Sequence, residues 1–214
     1  MSAYSWGVQE TIGLRERHRA DTWHAIRLAA SELVLENGLG GTTVEAIASQ
    51  AGVSRRTFFN YFQCKEDAVL GTQTPIVPEE ALADFDRATG DDLFTRTVRL
   101  LAATSVSAVR DDVAITRHRD LAKRFPELRF RLAQYVATAE HLVEQVLERR
   151  VASGAVALTG SDLAAADGIR ALVVMAGAAM RFAYARNPQL STVPSGRELD
   201  SAISLFRTVM KEAT

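Results

Sequence analysis

Between Val53 and Lys65 the chain reads VSRRTFFNYFQCK, a run that combines guanidinium, hydroxyl, amide and phenol groups with three phenylalanines. Phe58 and Phe62 are four residues apart, so on a helix they share one face suited to burial. Arg55, Arg56, Thr57, Phe59, Asn60 and Tyr61 occupy the remaining surface. Such side chains supply the donors that reach phosphate oxygens and base edges of duplex DNA. No Asp or Glu falls inside the run, although the whole chain carries a net charge of -1. The cationic character is therefore local, and this is the segment that fits a major groove.

The flanking residues predict the elements that present it. Thr42-Thr43-Val44-Glu45 has the S/T-x-x-E form of a capping box, which starts a helix at Thr42 or Thr43. Val44, Ile47, Ala48 and Ala51 then follow the i, i+3, i+4, i+7 spacing of a buried stripe. Gly52 offers an inexpensive left-handed turn, Val53 plugs the corner, and Ser54 is a good N-cap for the next helix. Two helices joined through a glycine turn, the second with a basic polar face, make a helix-turn-helix layout. Upstream, Trp23, Ile26, Ala29, Ala30, Leu33 and Val34 form the stripe of a longer helix that ends at Asn37-Gly38. Three helices of this kind bury one small core.

The string from Thr43 to Asp67, T-V-E-A-I-A-x-x-A-G-V-S-x-R-T-F-F-N-Y-F-x-x-K-E-D, resembles the DNA-binding domain of the TetR family of bacterial transcriptional regulators. The resemblance spans roughly residues 14 to 70. It implies an all-α chain: a three-helix DNA-binding domain with a flexible N-terminal arm over 1–72, then a helical ligand-binding and dimerisation domain over 73–214. It further implies that Thr43 contacts a phosphate through its hydroxyl and that Ser54, Arg55, Arg56 and Thr57 lie where bases and neighbouring phosphates are read. Phe59 stands where relatives often carry Tyr and can instead touch a thymine methyl. Asn60 is placed to pair with adenine, Tyr61 to hold a phosphate, and Lys65 to clamp the DNA backbone. The expected partner is a double-stranded operator, and the expected localisation is cytoplasmic.

Composition bounds these expectations. The 214 residues suffice for a small domain and a medium one, and 47% hydrophobic with 24% charged residues is an ordinary globular balance. No apolar run reaches the ~18 residues of a spanning helix, so no membrane partner is expected. Residues 1–13 lack the charged start and apolar middle of a signal peptide. Cys64 alone cannot form an internal disulfide. Residues 1–65 hold seven Lys/Arg against six Asp/Glu, a balance of +1, so electrostatic affinity must come from a few placed cations. Arg15, Arg17 and Arg19, in the arm before the first helix, are candidates to add phosphate contacts.

Beyond Gly71 the pattern is helical, over about 79–87, 91–110, 113–124, 126–150, 161–186 and 196–212. The last two carry broad apolar surfaces, Ile169, Leu172, Val173, Met175, Ala176, Ala179, Met180 and Ala183 in one, and Leu199, Ile203, Phe206, Val209 and Met210 in the other. The small residues Ala176 to Ala179 permit close helix approach. Either both helices complete their own core, or they pair with a second copy in the four-helix interface that the family resemblance implies for a homodimer. A two-fold dimer would present two recognition helices to a pseudo-palindromic operator. The resemblance also implies a small-molecule effector, with Leu101, Thr104, Arg117, Phe125, Tyr135 and Met180 as candidate lining. The basic stretch from Arg117 to Arg129 resembles a subgroup answering acyl-CoA thioesters. The implied activity is a ligand-responsive transcriptional regulator, usually a repressor released by a hydrophobic or amphipathic effector.

Catalysis finds little support. Gly38-Leu39-Gly40-Gly41-Thr42-Thr43 lacks the lysine and the preceding strand of a phosphate-binding loop. His18, His24, His118 and His141 form no metal-binding motif, and no cofactor is expected. The alternative is a helical protein-interaction module that does not bind DNA.

Overall fold

The structure is a computed structural model that describes residues 6–88, 90–108, 121, 124–157, 165–186 and 196–212, with side chains from Gly13 onward. Most of the described residues are helical, with no strand among them. The chain divides into two compact units, Met1–Gln73 and Thr74–Thr214.

In the first unit α1 is Trp6–Gly41, α2 is Val44–Gln50, α3 is Arg55–Tyr61 and α4 is Lys65–Leu70. The expected stop at Asn37-Gly38 is a break in α1, where Gly38 takes φ 73° and ψ 166° before a last turn to Gly41. The start differs from expectation. Arg15, Arg17 and Arg19 lie on α1 itself, because nothing from Gly13 onward interrupts helix formation, so they do not belong to an arm. Trp23, Ile26, Ala30 and Val34 of α1 are buried, as are Ile47, Phe58, Phe62, Val69 and Leu70, with α1 packed on α2 and α4. Trp23 and Phe62 ring centroids are 5.7 Å apart, and Phe58 and Phe62 are 6.0 Å apart. Burying Phe58 completely contributes roughly 1.5–3 kcal/mol. That burial fixes which side of α3 faces outward.

In the second unit α5 is Glu79–Arg87, α6 is Leu93–Val106, α7 is Pro126–Ala152, α8 is Ala165–Arg186 and α9 is Gly196–Glu212. The segment expected to be helical over 113–124 lies almost wholly outside the described residues. Asp92 caps α6 by accepting from the Thr95 amide at 2.8 Å, and Pro126 opens α7 where a missing N–H costs nothing. α8 packs against α6, α7 and α9. Its Ile169, Val173, Ala176, Ala179, Met180 and Ala183 are buried with Val98, Leu101, Val143, Leu147 and Ile203. By length and hydropathy α8 alone, among the described residues, is apolar enough to cross a membrane; its apolar stripe is instead the centre of this helical core.

That burial corrects the interface expectation for most residues named for it. A 3.6-residue period shows that a face is apolar but not which neighbour covers it. Ala176, Gly177 and Ala179 are used inside the unit, as are Leu199 and Ile203. The large apolar side chains exposed on these two helices are Val174 (54%), Leu205 (39%) and Val209 (56%).

Candidate nucleic-acid interface

Each end of the helix pair is set by local chemistry. Thr43 is the N-cap of α2, its Oγ1 accepting from the Ala46 amide at 3.1 Å. The hydroxyl proton stays available for donation outward. The turn places Gly52 at φ 67°, where an L side chain is strained. Ser54 caps α3, its Oγ accepting from the Thr57 amide at 3.0 Å and lying 2.8 Å from Thr57 Oγ1. These two hydroxyls therefore order the first turn of α3 before they offer anything to a ligand.

The sequence-derived residues gather on α3. Phe58 is wholly buried, whereas Arg55, Arg56 and Asn60 are exposed and Thr57 and Tyr61 are half-buried. Arg56, Asn60 and Tyr61 make no side-chain hydrogen bond or ion pair among the described residues, which leaves their polar groups to solvent or a partner. Phe59 is 47% exposed, an apolar ring with no core to enter. Its edge meets Phe58, and the Arg55 guanidinium sits 5.6 Å from its centroid.

Two positions behave differently from the sequence reading. Lys65, the expected clamp on a DNA backbone, turns its ammonium onto the protein. Nζ donates to the Leu39 carbonyl at 2.6 Å and to the Thr42 carbonyl at 3.0 Å, tying the start of α4 to the turn between α1 and α2. Glu45 was legible only as a capping-box member. With Thr43 as the cap, the box position is Ala46, and the Glu45 carboxylate instead lies 3.3 Å from Arg55 Nη1. The sequence signal for this is the one-residue offset between two adjacent threonines.

The TetR_N family model, bacterial regulatory proteins of the tetR family, matches residues 26–70. Residues 26–70 are a tetR-family domain. The tetR domain thus covers α1 from Ile26 to its end and all of α2, α3 and α4. Among solved structures, the chain is similar to FadR from Bacillus subtilis in complex with stearoyl-CoA, at 18% identity and TM-score 0.40 over 86% of this chain and 96% of that one. It is also similar to FadR from Thermus thermophilus in complex with lauroyl-CoA, at 20% identity and TM-score 0.38 over 86% and 92%. PfmR, also from Thermus thermophilus, gives 17% identity and TM-score 0.31 over 87% and 97%. None of the curated proteins matches the chain.

The effector candidates scatter. Leu101 and Met180 belong to the buried core, and Thr104 is buried with its Oγ1 donating to the Leu100 carbonyl at 2.8 Å. Phe125 and Tyr135 are half-buried beneath the Arg124 and Arg131 guanidiniums, and Arg117 lies outside the described residues. A cleft of about 400 Å³ opens instead between α5 and α6, with Ala81, Phe85 and Leu100 as floor and Asp84, Asp91, Arg96 and Arg99 as rim. Its rim side chains are partnered within the unit, Asp84 by Arg87 among them. Arg96 Nε donates to the Phe85 carbonyl at 2.9 Å, and Arg99 donates to Asp91 at 2.5 Å and Asp200 at 3.0 Å. Hydrogen bonding to Asp200, then the charge of Asp91, raises the Arg99 pKa above its ordinary value. Among the described residues no three His, Cys, Asp or Glu side chains converge as a metal site.

Proposed function

We propose that the chain is a ligand-responsive, DNA-binding transcriptional regulator of the cytoplasm, and that it is not an enzyme. One observation carries the reading: α3 is fixed by the buried Phe58 and Phe62 and presents Arg56, Asn60 and Tyr61 with their polar groups uncommitted. A protein-interaction module has no need of so many uncommitted donors beside a cap that orders them. Thr43, Ser54, Arg55, Arg56, Thr57, Phe59, Asn60 and Tyr61 are the proposed DNA-facing set, while Lys65 holds the turn between α1 and α2 from inside. In it Thr43 and Tyr61 meet phosphates and Arg56 and Asn60 reach base edges.

The finer reading is a repressor that binds a palindromic operator as a homodimer and leaves it when a hydrophobic or amphipathic effector binds the second unit. Val174, Leu205 and Val209 support the dimer, as exposed apolar side chains on adjacent helices. Arg124 and Arg129, exposed beside Phe125 and Phe130, support an effector with an anionic head and an acyl-like tail. Coupling works through a state preference of about 1–3 kcal/mol, a ~5–150-fold change in operator affinity. α4, the last helix before the second unit, is the proposed lever.

The test is footprinting of the full chain on duplex DNA, with Arg55→Ala plus Tyr61→Ala as the disabling variant. Protection by the wild type, lost in a variant of unchanged helical content, supports the regulator. No protection by the wild type supports the interaction module.

A further inference from the structure

Glu45 is the acid that the proposed DNA-facing surface does not need for folding. It sits in the first turn of α2, 61% exposed, and the cap it would complete is made by Thr43 with Ala46 instead. Its Oε1 lies 3.3 Å from Nη1 of Arg55, itself 67% exposed, so the pair links the two helices of the motif through a single contact. An exposed pair of this kind contributes little to the fold. A carboxylate beside a surface meant for phosphates also weakens non-specific attraction. Stability and general DNA affinity therefore leave Glu45 unexplained.

The side-by-side groups have a complementary target. A guanidinium offers parallel donors, a carboxylate offers acceptors, and the Phe59 ring flanks Arg55 on another side. In the major groove a G·C pair presents the acceptors N7 and O6 on guanine and the N4 amino donor on cytosine. Arginine takes the first two and glutamate takes the third. An A·T pair keeps the N7 acceptor but places the adenine N6 donor where guanine O6 stood and the thymine O4 acceptor against the carboxylate, so one arginine contact and the glutamate contact turn repulsive. We propose that Glu45 and Arg55 together read one G·C base pair in each operator half-site, Arg55 on guanine and Glu45 on cytosine. Glu45 is thus a specificity-determining residue of the motif. The inference rests on the DNA-binding reading. Because the pair is neutral, it adds discrimination without adding to the salt dependence of binding.

The experiment selects duplexes from a randomised pool with the full chain, then compares the enriched duplex with a partner changed from G·C to A·T at each position. For the wild type one position per half-site should show a penalty of about 5- to 150-fold, the span of 1–3 kcal/mol at ~1.4 kcal/mol per decade. Glu45→Ala should reduce that penalty at that position alone. It should also steepen the logarithmic salt slope by about 0.9, as the released Arg55 turns to phosphate. Glu45→Gln, whose amide oxygen still accepts from cytosine N4, should keep part of the penalty. Unchanged base preferences in Glu45→Ala, or losses spread equally over all positions, overturn the proposal while leaving DNA binding standing. A wild type that enriches no sequence overturns both.

Discussion

Replacing Lys65 with Met removes the ammonium while keeping most of the apolar stem. In the structure that ammonium holds the Leu39 carbonyl at 2.6 Å and the Thr42 carbonyl at 3.0 Å. Hydrogen bonds to charged groups contribute about 1.5–3 kcal/mol each, and a carbonyl left without its donor costs more when water cannot replace it. Lys65 is only half-buried, so water recovers part of the loss. The expected cost of Lys65→Met is therefore about 1.5–3 kcal/mol in total rather than twice that. Urea unfolding measures it, with Trp6→Phe as background so that Trp23, packed 5.7 Å from Phe62, reports the first unit alone. DNA titration across salt concentrations adds a second reading. An internal clamp lowers affinity through misplaced helices and leaves the slope of log K against log salt unchanged. A phosphate ligand lowers the slope by about 0.9 and leaves stability alone. Stability within about 0.5 kcal/mol of wild type, together with a reduced slope, would refute the clamp.

Other expectations follow from single contacts. The Arg150 guanidinium, which donates to both Asp86 oxygens at 2.8 and 2.6 Å, holds the Asp86 carboxyl below its ordinary pKa of 3.8. A lowered folded-state pKa means that the stabilisation is complete above the unfolded value and is lost as pH falls through the folded one. Asp86→Asn should therefore cost about 0–1 kcal/mol at pH 7 and flatten the loss of stability below about pH 4, measured by urea unfolding across pH. Gly177→Ala places a methyl group against the Glu140 carboxylate, which pairs with Arg181 at 3.2 Å. A gain of up to ~1 kcal/mol in helix propensity then meets the loss of a weak ion pair. Thermal unfolding should shift little, and a cost above about 2 kcal/mol would show that Glu140 cannot move. Leu205→Glu plus Val209→Glu should convert a dimer to a species of the chain mass, 23.3 kDa, in light scattering. A wild type already at that mass contradicts the proposed interface.

What the sequence disclosed follows from which interactions are local. The caps of α2 and α3, the turn at Gly52 and the start of α7 at Pro126 are each decided within a few residues, so their spacing alone places them. The inward roles of Phe58 and Phe62 follow from one four-residue interval. The reach of α1 before Trp23 carries no such marker, since helix-forming residues simply continue. Whether the stripe of α8 faces its own core or a second copy depends on α6, α7 and α9, which periodicity does not contain. The Lys65 clamp joins residues 26 and 23 apart, and the Glu45–Arg55 pair joins two helices across a turn. The cleft between α5 and α6 likewise exists only once the two helices meet.

The central claim is that the outer side of α3 lies on DNA, and site-specific photocross-linking tests it most directly. A benzophenone side chain at Asn60, on exposed α3, and a control at Phe130, 69% exposed on α7, are irradiated with a selected duplex under saturating conditions. The account requires protein–DNA adducts from position 60 that excess unlabelled duplex competes away, and none from position 130. Equal yields at the two positions, or no adduct at position 60 in a folded protein, would contradict it.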